Sequence, residues 1–183
     1  MIETFYELIA FLKNPVLEKD ANQNSTYRLK KFLHILIISI LTGAALSPLF
    51  VLIEHLGWVD MNNHAMEQLM KSLSKVQIFL FAVVAAPLLE ESIFRAPITL
   101  FRGGKIFKIA FYVFAVAFGL IHLSNFPITN NVLILAPILV APQIILGGYL
   151  GFIRVRFGLI WSILLHATYN AFFVFISFAG DSI

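Results

Sequence analysis

VQIFLFAVVAAPLLEESIFRAPITLF, residues 76–101, is long enough to cross a bilayer as one helix, since about 20 apolar residues span a hydrocarbon core of about 30 Å. Yet it carries Glu90, Glu91 and Arg95 within six residues. Hydrocarbon cannot solvate such groups, so at membrane depth they mark a function or a specific pairing. Two histidines, His122 and His166, fall at similar depth in two other apolar runs. The outline is that of an active site inside a membrane.

The surrounding chain fits that setting. It has 183 residues, 60% of them hydrophobic and 13% charged, with a mean hydropathy of +0.89. Soluble domains are nearer about 45–50% apolar and about 25% charged. Long unbroken apolar runs exclude a β-barrel, which needs short alternating segments. The expected fold is all-α: a polytopic transmembrane helical bundle of about five spans, at Phe32–Gly57, Val76–Phe101, Ile106–Leu123, Val132–Ile153 and Phe157–Ala179. Pro137 and Pro142 predict a kink in the fourth. Gly147 and Gly151 there form a small-xxx-small pair suited to close packing.

Ahead of the bundle, Ile2, Phe5, Leu8, Ile9 and Leu12 recur at helical spacing. They predict an amphipathic helix ending near Pro15, lying at the membrane interface or packed on the cytoplasmic side of the bundle. The chain thus divides into residues 1–31, an amphipathic segment and connector, and residues 32–183, the bundle, with its catalytic core at 76–179. The first long apolar run starts only after Lys31 and no small-residue cleavage site follows a short one, so it reads as an anchor.

Lys13, Lys19, Arg28, Lys30, Lys31, Arg102, Lys105, Lys108, Arg154 and Arg156 fall on one side of a five-span arrangement. Only Lys71 and Lys75 fall on the other. The positive-inside rule then makes the N-terminus cytoplasmic and the C-terminus external. An integral protein of a bacterial inner membrane fits this pattern. Loop charge accounts for the pI of about 9.3; no basic cluster interleaved with aromatics points to nucleic acid. Cysteine is absent, which removes disulfides, thiolate metal sites and a thiol nucleophile.

At about 1.5 Å per helical residue, Glu90, His122 and the pair His166 and Asn170 lie roughly 15–21 Å in from the cationic ends of three spans. Glu91 and Arg95 are four apart with the acid first, the better orientation for an intrahelical ion pair. Glu90, about 100° around the axis, lacks that partner and is the candidate general base. His166 and Asn170 share a face and can donate to one ligand atom. The aspartates Asp20, Asp60 and Asp181 lie outside every span, which excludes an aspartyl dyad. No H-E-x-x-H occurs. Ser162 stands one turn before His166 but has no nucleophile elbow. His34, His55 and His64 sit at span ends or in a loop and are assigned no role.

Three motifs stand in order: Glu90-Glu91-Ser92-Ile93-Phe94-Arg95, Phe118-Gly119-Leu120-Ile121-His122, and His166-Ala167-Thr168-Tyr169-Asn170. As E-E-x-x-x-R, F-x-x-x-H and H-x-x-x-N on successive apolar helices, they resemble the CPBP family of CAAX proteases and bacteriocin-processing enzymes, the glutamic intramembrane proteases. The resemblance covers about Val76 to Ala179. It implies an intramembrane endopeptidase acting on a membrane-associated protein or peptide. Glu90 and His122 would activate water, His166 and Asn170 would stabilise the oxyanion, and Glu91 and Arg95 would support them. It implies no cofactor. Zinc held by Glu90, His122 and His166, with a fourth position for water, is the alternative for the same site. A non-catalytic immunity or scaffold protein is the alternative from another class. The sequence sets no oligomeric state, and membrane lipid is the one other partner expected.

Overall fold

The computed structural model describes residues 1–180. Asp181 and the C-terminus, which entered the sequence reading, lie outside the described residues. The chain is helical with five stretches long and apolar enough to cross a membrane: Ser25–His55, Lys75–Leu100, Gly104–Asn125, Asn130–Phe157 and Leu159–Gly180.

Helix α1, Ile2–Lys13, turns Leu8 and Phe11 into the bundle, at 0% and 4% exposure, while Ile2 and Tyr6 stay exposed on its other face. It is therefore packed onto the bundle as well as amphipathic. Glu7 pairs with Lys31 and lies 3.8 Å from Arg156, and the Tyr112 hydroxyl donates to the Leu12 carbonyl at 2.8 Å. These contacts hold α1 across the cationic end. Helix α2 is Ser25–His55, capped by the Asn24 side chain. A 3₁₀ turn at Met61–Asn63 and helix α3, Ala65–Ser72, connect it to the second span.

That span is not one continuous helix. It comprises α4 (Lys75–Phe79), a π-helical turn (Leu80–Ala85), α5 (Ala86–Phe94) and a 3₁₀ turn (Pro97–Leu100). Helix α6, Gly104–Ile121, forms the third span and passes into a 3₁₀ turn at His122–Asn125. The fourth span breaks at Val140 into α7 (Asn130–Leu139) and α8 (Ala141–Phe157), with Pro142 in the first turn of α8. A proline there lacks only an N–H that a helix start leaves free. Helix α9 is Leu159–Gly180.

Between lipid-soluble helices there is little hydrophobic drive to associate, so close packing must hold them. The glycines of α8 permit it against α6. A Cβ on Gly151 would come within 2.6 Å of the Phe111 ring, and one on Gly147 within 3.2 Å of Phe118 and of the Arg95 guanidinium. The main core gathers Phe107, Phe111, Leu150, Phe152 and Ile153 with Leu8 and Phe11 of α1. It fills the half of the bundle nearer the cationic ends. Arg154 ties that end to the second span, bonding the Arg95 and Ala96 carbonyls and the Thr99 hydroxyl.

Candidate active site

The path to Glu90 runs through the π turn. There the Ala86 N–H bonds the Phe81 carbonyl, five residues back. The same register aims the Ala82 carbonyl at residue 87, which is proline and has no N–H to give. Asn170 of α9 supplies the missing donor, its Nδ2 bonding the Ala82 oxygen at 2.8 Å. A single π turn inside a helix is a recurrent mark of functional sites. Here it joins the second span to the fifth.

Glu90, on α5, turns one carboxylate oxygen towards two imidazoles. Its Oε2 lies 3.9 Å from His122 Nε2 and 3.8 Å from His166 Nε2. That oxygen is buried and has no hydrogen-bond partner; the separations exceed a direct hydrogen bond. Both rings are fixed from behind. His122 Nδ1 donates to the Phe118 carbonyl at 2.7 Å, because a carbonyl can only accept. His166 Nδ1 donates to Glu91 Oε1 at 3.0 Å. In each case Nε2 is the nitrogen left facing Glu90, and the rear bond sets the ring's orientation.

Behind this layer Glu91 and Arg95 are 0% and 1% exposed. Arg95 Nε lies 3.7 Å from Glu91 Oε1. The Ser162 hydroxyl bonds both Glu91 Oε2 and the Leu150 carbonyl. The guanidinium lies over the Phe118 ring, 3.9 Å from its centre, a cation–π contact that compensates part of its lost solvation. Its two Nη atoms have no hydrogen-bond partner. Glu91 thus does more than the ion pair read from its spacing, because it also holds His166 and Ser162.

Glu90, His122, His166 and Asn170 line one cavity of about 840 Å³. So does His64, to which the sequence reading assigned no role. A lone histidine in a polar loop carries no signal of depth. Its ring packs edge-on against Phe126, and its Nδ1 accepts the Met66 N–H at 3.2 Å, capping α3. Its pKa is lowered by burial first; nearby His122 adds to this and Glu67 opposes it. Neutral His64 is thus favoured in the folded protein, and protonating Nδ1 would remove the cap. The stability it contributes is present above the unfolded-state pKa of about 6.5 and is lost as pH falls below it. The protection factors of the α3 amides, corrected for the intrinsic exchange rate, are expected to fall between pH 7 and pH 5, and His64→Ala should show low protection at both. A flat pH response in the native chain would disprove the cap's role.

Among the described residues, no group of three His, Cys, Asp or Glu side chains is arranged to hold a metal ion.

Five helices long and apolar enough to cross a membrane, with carboxylates, imidazoles and an amide lining one cavity, mark an integral membrane protein. The family model described as type II CAAX prenyl endopeptidase Rce1-like matches residues 72–172, more than half of the chain, and the chain belongs to that family of intramembrane CAAX proteases. No curated protein and no solved structure matches it.

Proposed function

We propose that this chain is a glutamic-type intramembrane endopeptidase that cleaves a membrane-associated protein or peptide without a resident metal, with residues 76–179 as its catalytic core. The observation that carries the proposal is the convergence of Glu90 Oε2 and two outward-facing Nε2 atoms on one cavity. With Nδ1–H committed to Phe118, neutral His122 offers a lone pair at Nε2. Two acceptors 3.9 Å apart can both receive hydrogens from one water about 2.8 Å from each. That water then points its own lone pairs at a substrate carbonyl. Glu90 takes one proton as the water oxygen bonds to carbon, and returns it to the leaving amine as the C–N bond breaks.

The tetrahedral intermediate needs donors aimed at its oxyanion. Asn170 has two N–H groups on Nδ2; one is given to Ala82, which fixes the amide, and the other remains for the oxyanion. His166 joins it when Nε2 carries a proton, its ring held by the bond from Nδ1 to Glu91. Glu91, Arg95 and Ser162 are positioning residues. The same proposal places the N-terminus in the cytoplasm, in a bacterial inner membrane, on the charge distribution of the loops.

The test uses purified protein and quenched-fluorescent prenylated CAAX peptides. Asn170→Ala is expected to lower kcat by about 10²–10³-fold with KM little changed, as for loss of one oxyanion donor. Chelation should leave the native rate unaltered, and elemental analysis should find no stoichiometric metal. Full activity in Asn170→Ala would remove its oxyanion role. Activity lost to a chelator and restored by zinc would replace the metal-free mechanism.

A further inference from the structure

We infer that Gln143 is a substrate-binding residue, its side-chain amide accepting a backbone N–H of the peptide beside the bond to be cut. This role rests on the proteolytic reading above and adds to it a residue that none of the three motifs contains.

Gln143 stands in the first turn of α8, directly after Pro142. Eleven helical residues separate it from Arg154 at the cationic end, a height of roughly 16–17 Å. Glu90, His122, His166 and Asn170 lie in the same layer, roughly 15–21 Å in. The break at Val140 lets a new helix start at this height. Gly119, one turn before His122, lets that start come close to the third span: a Cβ there would lie within 3.2 Å of the Ile144 backbone nitrogen. Gln143 lines the same cavity as Glu90 and His122.

Its Oε1 is buried and has no hydrogen-bond partner. Among the described residues, the buried side-chain oxygens in that state are Glu90 Oε2 and Gln143 Oε1, and both residues line this cavity. The other unpaired atoms are nitrogens of Arg95 and Arg156. A buried acceptor without a donor lowers stability, most of all where hydrocarbon replaces water. For Glu90 the proposed water removes that cost. Gln143 needs a donor of its own, and neutral His122 offers none, since its one N–H is committed to the Phe118 carbonyl.

A peptide supplies one. To be cleaved it must unwind, and each unwound residue exposes an N–H and a C=O that hydrocarbon cannot satisfy. A carboxamide carries matching functions side by side: an oxygen that accepts, and an Nε2 with two N–H groups that donate. It can hold a neighbouring peptide group through both, like one rung of a sheet, without charge and without reading the side chains. Gln143 aligns the backbone, and no proton passes through it.

The experiment pairs a variant with backbone-edited substrates. Gln143→Met keeps the length of the side chain and removes the amide. Prenylated CAAX peptides are made with each non-scissile amide in turn replaced by an ester, which deletes one N–H. In the native chain, one of these esters is expected to lower kcat/KM by about 3–10-fold against the all-amide peptide, as for loss of one hydrogen bond. In Gln143→Met the all-amide peptide should fall by a similar factor, chiefly through KM, and the ester at that position should have no further effect. Equal ester sensitivity in both chains, or no sensitive position in the native one, overturns the assignment and leaves the proteolytic reading intact. Cleavage of no peptide by the native chain would end the proteolytic reading, and this role with it. Stability gives a check that needs no substrate. Because Oε1 is unpaired in the free protein, Gln143→Met is expected to keep or raise the thermal midpoint in detergent. A variant that fails to fold, or melts well below the native chain, would show that the amide holds the bundle together, and overturns its role towards substrate.

Discussion

Glu90→Gln is expected to abolish peptide cleavage while the bundle stays folded. The substitution keeps the shape of the side chain and removes its ability to take a proton. Positioned general bases typically contribute about 10²–10⁴-fold to rate. Glu90 also aligns the water, so the fall should lie at the upper end of that range. Folding should survive because Glu90 Oε2 makes no hydrogen bond in the native chain, and the side chain is 26% exposed to the cavity. The measurements are single-turnover cleavage of prenylated CAAX peptides and the thermal midpoint in detergent. Native-like turnover by Glu90→Gln would end the assignment of this carboxylate as base.

The adjacent carboxylate is expected to behave in the opposite way. Glu91→Ala should cost about 3–5 kcal/mol of stability, the range for breaking a buried ion pair by removing one partner. Arg95 would be left 1% exposed without the carboxylate it is paired with, and both its Nη atoms already lack partners. Ser162 would keep only the Leu150 carbonyl, and His166 would lose the acceptor that orients its ring. The double variant Glu91→Ala/Arg95→Met should recover much of the stability, because the uncompensated charge is gone, yet stay slow in catalysis because His166 remains unheld. Equal destabilisation in the single and double variants would show that the buried charge is not the cause. The two neighbouring glutamates thus separate cleanly: one governs rate with little effect on folding, the other governs folding and reaches rate through a histidine.

Most of the architecture was legible from hydropathy. Span number, the break near Pro142, and close packing at Gly147 and Gly151 all follow from periodicity and residue size, which are local properties. The depth of Glu90, His122, His166 and Asn170 was legible by counting residues from the cationic ends, since helical rise converts position into height. Three features were not. The π turn depends on a proline and on an asparagine 83 residues beyond it (Pro87 and Asn170), and no local pattern links them. The bond from Ser162 to Glu91 joins helices whose facing angles only packing determines. His64 reaches the cavity because the loop folds back over it, and loop geometry leaves no period to read.

The π turn between Leu80 and Ala85 has one more consequence. A wide turn accommodates one extra residue, so it sets the angular phase between the membrane-entering part of the second span and the part that bears the carboxylates. The same residues wound there at ordinary α-helical pitch would keep their hydropathy, their span count and all three motifs. The later half of the span would be rotated by about 100° relative to the earlier half, and the Ala82–Asn170 tie and the Glu90 bearing could no longer both be satisfied. Motif matching alone would not detect such a loss. In this architecture, the wide turn ahead of the paired glutamates is as much a condition of competence as the glutamates themselves.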